Sequence, residues 1–314
     1  RWASAARIGR LPVEIHLCDL RIPQQVDRAV QGVDAIVHCA HGGRPVNVEG
    51  TALLLESALR HGVRRVVHLS TVAVYGVRQG TLDESAPTRY TGDEYGDTKL
   101  DGERVCQDAA RRGCPVVILR PTLVYGPFSE SWTVEFIERM RSGTWYVPDE
   151  LARGRCNLVY VDDLVQSILR CLRKPLEPGE VFNVNGGDAV TWAEYFRALH
   201  AALGLPSLRY RGRGAARLAA AGSVPLRATA RLVLRHAQTP LRLAYRRSRV
   251  ARHLLDRAEH LLRRTPSPRE FELYGANVEY PTDKARAVLG YRPAFSLSEG
   301  LRLTAAWARH HRLA

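Results

Sequence analysis

The sequence predicts an α/β protein built on a doubly wound parallel sheet, with a smaller second domain formed mostly by the C-terminal part of the chain. Apolar runs rich in valine and isoleucine occur at residues 33–40, 66–69 and 116–119, and such runs are typical of buried parallel strands. Helical segments separate these runs. An alternation of strands and helices is typical of a parallel sheet covered by helices.

The N-terminal part alternates between apolar and polar residues at 13–20, which predicts a strand ending in a turn. A short helix is expected at 25–30. The apolar run at 33–40 then ends in Cys39-Ala40-His41 and two glycines, which would allow a ligand backbone to approach closely. A longer helix is expected from Asn47 to Leu59.

The central strand at 66–69 runs directly into Ser70 and Thr71, and the strand at 116–119 is followed by Arg120-Pro121. Between them, a helix is expected to begin near Tyr95. The remaining segments are an excursion at 128–155, a return to the sheet at 157–164, a strand and turn at 181–187, and helices that begin at two capping boxes, Thr191 with Glu194 and Ser296 with Glu299.

Composition narrows the class of protein. The chain has 314 residues, of which 45% are hydrophobic and 25% charged, as in ordinary globular proteins. It has no apolar run of about 18 residues that could span a membrane and no secretory signal at its start. The six cysteines form no Cys-x-x-Cys pair, so a reducing, cytoplasmic location is expected. His38, Cys39 and His41 are close in sequence, but neighbours on a strand face opposite sides, so no metal site is expected.

The net charge of +14 comes almost entirely from one segment. Residues 209–264 contain 15 arginines, no lysine, one aspartate and one glutamate. Apolar residues from Leu243 to Leu261 follow helical spacing with arginines mostly on another face, which predicts a basic amphipathic helix. Three interpretations stay open: a lid helix on the second domain, peripheral contact with an anionic membrane, and nucleic-acid binding, which the scarcity of aromatic residues disfavours.

The pair Tyr95 and Lys99 carries the predicted chemistry. Residues four apart on a helix share one face, and a nearby ammonium favours the phenolate, which lowers a tyrosine pKa from about 10. Tyr95 would then serve as an acid or base near neutral pH. A Tyr-x-x-x-Lys spacing by itself is more often a surface pair, so the neighbouring motifs decide whether this pair is catalytic.

That context resembles the extended short-chain dehydrogenase/reductase family, and more closely its NAD-dependent epimerase/dehydratase branch. The resemblance is carried by the hydroxyls after the strand at 66–69, the Tyr95–Lys99 pair, and the Arg120-Pro121 and Tyr125-Gly126-Pro127 motifs, and it extends from about Asp19 to Trp307. It implies a Rossmann-like fold, NAD or NADP as cofactor, a small-molecule substrate and no specific nucleic acid partner. We also expect a homodimer.

The resemblance implies a catalytic set of Thr71, Tyr95 and Lys99. It assigns Thr71 rather than Ser70 because the family's hydroxyl lies four residues before the tyrosine of Val74-Tyr75-Gly76. The residues expected to contact the cofactor are Asp19, Leu20, Cys39, Ala40, His41, Tyr95, Lys99, Pro121 and Thr122. The implied domains are a Rossmann-like unit at 1–127 and 157–187, and a substrate domain at 128–156 and 188–314 with a basic helical insert at about 209–264.

Several departures from the family limit the prediction. No Gly-x-x-Gly-x-x-Gly turn occurs, and the chain opens at Arg1, so the first strand and its glycine-rich turn are expected to be missing. Val72-Ala73 stands where dehydratases have an acidic pair, which argues against water elimination. Cys156 and Phe271 stand near the places of two arginines that hold a sugar-nucleotide diphosphate, although Arg153, Arg155 and Arg269 are close.

Three functions therefore remain open from the sequence. The first is an epimerase acting by reversible hydride transfer at a secondary alcohol of a sugar nucleotide or similar polyol. The second is a dehydrogenase or reductase of a non-nucleotide, lipidic or steroid-like alcohol or ketone. The third is a non-catalytic NAD(P)-binding relative. The residue that would distinguish NAD from NADP is not readable from the sequence.

Overall fold

The computed structural model describes residues 8–9, 11–142, 145–147, 152–205, 209–210, 214, 218 and 267–313. Its strands, in chain order, are β1 (Ala35–His38), β2 (Arg65–Leu69), β3 (Gly80–Thr81), β4 (Val116–Pro121), β5 (Leu123–Tyr125), β6 (Tyr146–Val147), β7 (Arg155–Cys156), β8 (Leu158–Tyr160), β9 (Val181–Val184), β10 (Val190–Thr191), β11 (Arg209–Tyr210) and β12 (Val278–Glu279).

Its helices are α1 (Pro23–Val30), α2 (Thr51–Arg60), α3 (Glu94–Arg111), α4 (Glu135–Arg141), α5 (Val161–Arg173), α6 (Trp192–Leu203), α7 (Pro268–Gly275) and α8 (Leu297–His310). Shorter helical turns are a 3₁₀ turn at Val72–Tyr75 and π-helical turns at Pro45–Gly50, Glu130–Val134 and Ala285–Leu289.

A parallel sheet in the order β1-β2-β4-β9 lies at the centre of the structure. The sequence placed strands at each of these four positions, and that prediction is confirmed. Every residue of β4 is buried, as a strand with parallel neighbours on both sides and helices on both faces should be. β1 is the edge strand, and its Val37 keeps 39% of its surface exposed.

The predicted strand at 13–20 is wrong. No strand is assigned between residues 11 and 20, and the apolar side chains there are exposed, with Val13 at 52% and Leu17 at 71%. The reason is that an extended segment becomes a strand only when a neighbour satisfies its backbone groups. Among the described residues, no strand pairs with this segment.

Helices cover both faces of the sheet, which confirms the doubly wound arrangement. On one face, α1, α2 and α3 contribute Val26, Leu55 and Cys106 to a cluster with Val66 and Ile118 of the sheet. On the other face lies a second cluster, which contains buried residues of α5, β9 and the segment from Ala285 to Tyr291.

A third cluster, rich in aromatic residues, lies beyond the sheet. Its buried aromatic members include Phe136, Trp192, Phe196 and Tyr274, and α8 adds aliphatic residues to it. The sequence indicated that Trp132, Phe136, Trp145 and Tyr146 are core residues, and all of them are at least partly buried here.

The predicted capping boxes differ in outcome. Thr191 and Glu194 exchange both hydrogen bonds at the start of α6, so that box is confirmed. At the start of α8, Ser296 accepts from the Glu299 backbone, but the Glu299 carboxylate pairs with Arg302. The predicted basic amphipathic helix from Leu243 to Leu261 lies outside the described residues. None of the helices in the described part of the chain has the length and apolar character needed to cross a membrane.

Candidate active site

The site is built around the N-terminal turn of α3. Asp93 caps this helix, because its carboxylate accepts a hydrogen bond from the Gly96 backbone at 3.2 Å. A Cβ on Gly96 would lie 3.2 Å from the Ala73 carbonyl oxygen, so glycine lets the helix pack closely against the 3₁₀ turn. This packing brings Tyr95 to the end of β2.

Tyr95 and Thr71 are brought together by that arrangement. The Thr71 hydroxyl caps the 3₁₀ turn by accepting from the Ala73 backbone at 3.2 Å, and it also hydrogen-bonds the Tyr95 side chain. Thr71 is 8% exposed and Tyr95 is 41% exposed. Their contact brings two hydroxyls together just after the carboxyl end of β2.

Burial raises the pKa of Tyr95 above its ordinary value, the hydrogen bond with Thr71 lowers it, and the charge of Asp93 raises it. The expectation that Lys99 lowers this pKa is therefore wrong for the cofactor-free protein. The reason is the position of the lysine: its Nζ donates to the Leu69 carbonyl oxygen at 2.8 Å. In this state Tyr95 is a protonated acid at neutral pH.

Lys99 is 6% exposed, and burial lowers its pKa. Burial and, to a smaller extent, the charge of Lys99 lower the pKa of His41, and the same two causes bring the pKa of His38 to about 4. The Lys99 charge also favours the thiolate of Cys39, whose pKa burial raises. The Leu69 carbonyl that holds the ammonium ends β2, the strand paired with β1, so the ammonium lies near the carboxyl end of β1, where the sequence predicted close approach of a cofactor.

His41 occupies a position where the family usually has alanine. Its ring centroid lies 5.2 Å from that of Tyr95, with the two rings at 80°. An edge-to-face arrangement of this kind is a favourable aromatic contact. The imidazole thus packs against the side of the predicted acid, and Cys39 is exposed beside it.

The other predicted cofactor contacts lie at two further places. Asp19 is hydrogen-bonded to Arg21, which brings the pKa of its carboxyl to about 2, and Leu20 packs against the backbone of Gly50. Pro121 ends β4, and the Thr122 hydroxyl donates to Asn185 at 3.0 Å. These hydrogen bonds do not reach Tyr95, and the placement of these residues around a common cofactor is a proposal.

The residues present fit the nicotinamide half of an NAD(P) cofactor. Small residues end β1, and Lys99 has two N–H donors beyond the one used by Leu69. The sequence has no glycine-rich turn to hold the pyrophosphate. Across the described residues, no group of three or more histidine, cysteine, aspartate or glutamate side chains is arranged to hold a metal ion.

The positions of the family's two diphosphate arginines are apolar here. Cys156 is fully buried on β7, and Phe271 packs against the aromatic cluster. Of the nearby arginines, Arg155 lies 3.3 Å from Glu279 and Arg269 lies 2.8 Å from Asp93, so both are already paired with carboxylates. Arg153 is exposed.

Sequence reasoning missed a buried polar network behind the site. Glu103 follows Lys99 by one helical turn and forms a buried ion pair with Arg120 of β4. Ser70 donates its hydroxyl to Glu103, and Arg120 donates to the Tyr75 hydroxyl at 2.8 Å. The four-residue spacing of Tyr95, Lys99 and Glu103 places all three on one face of α3, and this spacing could have pointed to Glu103.

Comparisons with known proteins identify the family of this chain. Residues 2–185 match the model of the NAD dependent epimerase/dehydratase family. The UDP-glucose 4-epimerase of Vibrio cholerae is 28% identical over 212 residues, which cover 60% of this chain and 63% of that protein. Sterol demethylase protein B of Methylococcus capsulatus is 34% identical over 219 residues, which cover 62% of this chain and 64% of that protein.

The fold also matches solved structures. The dTDP-glucose 4,6-dehydratase of Streptomyces venezuelae, solved as a double mutant with NAD bound, aligns with a TM-score of 0.70 over 99% of this chain and 84% of that one, at 24% identity. The alignments span less than two thirds of the length of the two sequence relatives. Because a family model matches more than half of its residues, this chain belongs to the NAD dependent epimerase/dehydratase family.

Proposed function

We propose that this protein catalyses reversible hydride transfer at a secondary alcohol, with NAD or NADP as cofactor. The observation that supports this most directly is the hydrogen bond between the Thr71 hydroxyl and Tyr95, one helical turn from a buried lysine. When bound, the nicotinamide supplies the hydride acceptor and donor. The protein supplies position and proton transfer.

The two hydroxyls have different roles. Thr71 orients the substrate oxygen through a hydrogen bond, and Tyr95 exchanges the proton of that oxygen. Because burial raises the Tyr95 pKa, the resting phenol carries the proton that a carbonyl oxygen would receive. For the reverse reaction, the Lys99 ammonium favours the phenolate if it approaches Tyr95, and its free N–H groups would hold the nicotinamide ribose.

Cofactor contact is proposed for Asp19, Leu20, Cys39, Ala40, His41, Pro121 and Thr122. The residues that end β1 are supported by their electrostatic coupling to Lys99 and by the packing of His41 on Tyr95. Pro121 and Thr122 are supported by their place at the end of the adjacent strand β4. Ligands of open α/β sheets bind outside the carboxyl ends of the strands.

Water elimination is not part of the proposal. Val72 follows Thr71 and is 8% exposed within an apolar cluster that also holds Val74 and Leu100. No acidic side chain therefore stands directly after Thr71 to protonate a leaving hydroxyl group. The dehydratase from Streptomyces venezuelae has a similar fold. This chain lacks the acidic pair that a dehydratase is expected to need after the catalytic hydroxyl.

Two substrate classes remain, and each has support. A sugar nucleotide or similar polyol is supported by the epimerase from Vibrio cholerae. A lipidic or steroid-like alcohol is supported by the sterol demethylase relative, and by the buried Cys156 and the half-buried Phe271 at the expected diphosphate positions. The substrate would bind between a Rossmann-like domain at 1–127 and 157–187 and a substrate domain at 128–156 and 188–314.

The substrate experiment follows reduced nicotinamide by absorbance, with UDP-glucose in one series and a 3β-hydroxysteroid in the other. Net reduction of NAD or NADP with the steroid identifies a dehydrogenase. Conversion of the sugar nucleotide to its epimer without net absorbance change identifies an epimerase. If neither substrate is converted although NAD or NADP raises the melting temperature, the non-catalytic NAD(P)-binding alternative is favoured.

Two assembly proposals accompany this function. Residues 209–264 would give peripheral contact with an anionic membrane, because their arginines are nearly unopposed by acidic residues. A homodimer is the second proposal. Flotation with anionic and neutral vesicles checks the first, and light scattering checks the second.

A further inference from the structure

A chain of buried polar contacts crosses from the proposed catalytic helix to the sheet. The Arg120 guanidinium forms two close bonds with Glu103, Nε to Oε1 at 2.9 Å and Nη2 to Oε2 at 2.6 Å. The two side chains are 7% and 5% exposed. The same carboxylate accepts the hydroxyl of Ser70, which is 4% exposed.

The contacts continue past Arg120. Its Nη1 donates to the Tyr75 hydroxyl, which donates to Asn183 of β9 at 2.9 Å. Tyr75 ends the 3₁₀ turn that begins after Thr71, and Arg120 lies on β4. The network therefore joins α3, the segment after β2, β4 and β9, all of which border the proposed site.

Ser70 is the member nearest to the chemistry. It lies between Leu69, whose carbonyl accepts from Lys99, and Thr71, whose hydroxyl bonds Tyr95. Its backbone N–H donates to the Leu119 carbonyl at 2.8 Å, and its side chain is held by Glu103. Both ends of the Ser70 residue are thus restrained, and Thr71 is the next residue along.

We propose that Ser70, Glu103 and Arg120 form a positioning network that holds the Thr71 hydroxyl against Tyr95. This inference rests on the function proposed above, in which Thr71 and Tyr95 handle the substrate oxygen. Glu103 lies two helical turns after Tyr95 on α3. The same helix therefore carries the proposed proton donor and the carboxylate that holds Ser70, the residue before Thr71. Displacement of a reacting group by about 1 Å can lower a rate by about 100-fold, which makes such restraint valuable.

The test uses the Tyr95 phenol itself as the reporter. Tyrosines labelled with ¹³C at Cζ are titrated by NMR in the protein without cofactor, and Tyr95 is identified by the signal that Tyr95→Phe removes. Thr71→Ala calibrates the experiment, because losing its hydrogen bond raises the Tyr95 pKa. Ser70→Ala is expected to raise the Tyr95 pKa in the same direction, by a measurable fraction of the Thr71→Ala effect.

Ser70→Ala is expected to fold, because Glu103 keeps its bonds to Arg120. A second variant, Glu103→Leu with Arg120→Met, replaces the ion pair by apolar side chains, a change that is often neutral for stability. It removes the acceptor of Ser70 and is expected to raise the Tyr95 pKa as Ser70→Ala does. Ser70→Thr restores the hydroxyl and is expected to restore the titration.

The matched control is Ser167→Ala on α5. Ser167 is fully buried and donates to the Asp163 carbonyl, so Ser167→Ala removes a comparable buried hydroxyl that lies outside the network. It should leave the Tyr95 titration unchanged. An unchanged titration in Ser70→Ala and in the double variant, with a clear rise in Thr71→Ala, overturns the proposal.

Turnover adds a second readout. Ser70→Ala is expected to lower kcat about tenfold, equivalent to about 1.4 kcal/mol, with KM nearly unchanged, since the group affects the reacting atoms rather than substrate binding. A fall in Ser167→Ala of the same size would assign the loss to general destabilisation and overturn positioning. Retained turnover in Tyr95→Phe would instead refute the proposed function. The titration without cofactor would still test whether Ser70, Glu103 and Arg120 position Thr71 against Tyr95.

Discussion

The Nζ of Lys99 donates to the carbonyl oxygen of Leu69 at 2.8 Å, which ties the proposed catalytic helix to the last residue of β2. Leu69 lies two residues before Thr71, so the lysine bonds to the same short segment that supplies the threonine hydroxyl. The lysine thus has a structural contact before any cofactor binds. After burial, its charge is the second cause of the lowered pKa of His38 and His41, which lie at and after the end of β1.

Tyr95→Phe should remove most turnover while leaving cofactor binding intact, because only the phenol hydroxyl exchanges the substrate proton. Initial rates and thermal shifts with NAD and NADP measure the two properties separately. Tyr90→Phe is the control, since Tyr90 is 50% exposed and its hydroxyl bonds Asp101. Equal rates for the two variants would refute the role of Tyr95.

Lys99→Met should raise the pKa of His38 from about 4 but leave it below the ordinary value, because the charge of Lys99 is removed while burial, the larger cause, remains. Histidine NMR titration measures this, with the His38 signal identified by its loss in His38→Gln. Thermal shifts by NAD and NADP should weaken in the same variant. Lys174→Met, at an exposed site, is the control, and a His38 pKa that does not move would contradict the coupling.

His68→Leu should stabilise the protein, and more so at pH 5 than at pH 8. His68 is 2% exposed, and neither ring nitrogen has a hydrogen-bond partner among the described residues. Burial keeps the folded-state pKa of His68 well below its ordinary value. Below about pH 6.5, His68 is therefore protonated in the unfolded chain but stays neutral in the folded protein. Stability therefore falls as pH falls through that value.

Removing the unsatisfied imidazole should restore about 1 kcal/mol at pH 8, the low end of the cost of an unpaired buried polar group. Urea unfolding at both pH values measures the difference. His310→Leu is the control at an exposed position. A loss of stability at both pH values in His68→Leu would show that shape, not the missing hydrogen bonds, dominates at this position.

Gly102→Ala should destabilise the protein by about 1–3 kcal/mol, the usual cost of overpacking. A Cβ at Gly102 would lie 2.8 Å from the Asn47 carbonyl oxygen, so α3 would have to move away from the π-helical turn Pro45–Gly50. Gly187→Ala is the matched control because a Cβ there meets no atom within 4 Å. Thermal unfolding of the two variants distinguishes the cases, and equal melting temperatures would contradict the close packing.

Motifs with a local physical cause were predicted well. The apolar runs at 66–69 and 116–119 became β2 and β4, and the Thr191 capping box formed, because side-chain pattern and short-range hydrogen bonds determine such elements. The run at 13–20 has the same alternation and forms no strand. Whether this segment forms a strand depends on a partner strand elsewhere in the chain, and a local sequence pattern does not show whether such a partner exists.

For the candidate site, the sequence by itself determined which groups are proposed to carry the chemistry: a tyrosine and a lysine one helical turn apart, and a threonine at the end of a strand. Only the tertiary structure decided what those groups do without cofactor. Lys99 turns to the Leu69 carbonyl, and Tyr95 keeps its proton. Desolvation and hydrogen bonds from residues distant in sequence, such as the pair Glu103 and Arg120, depend on packing, and spacing along one helix cannot specify them.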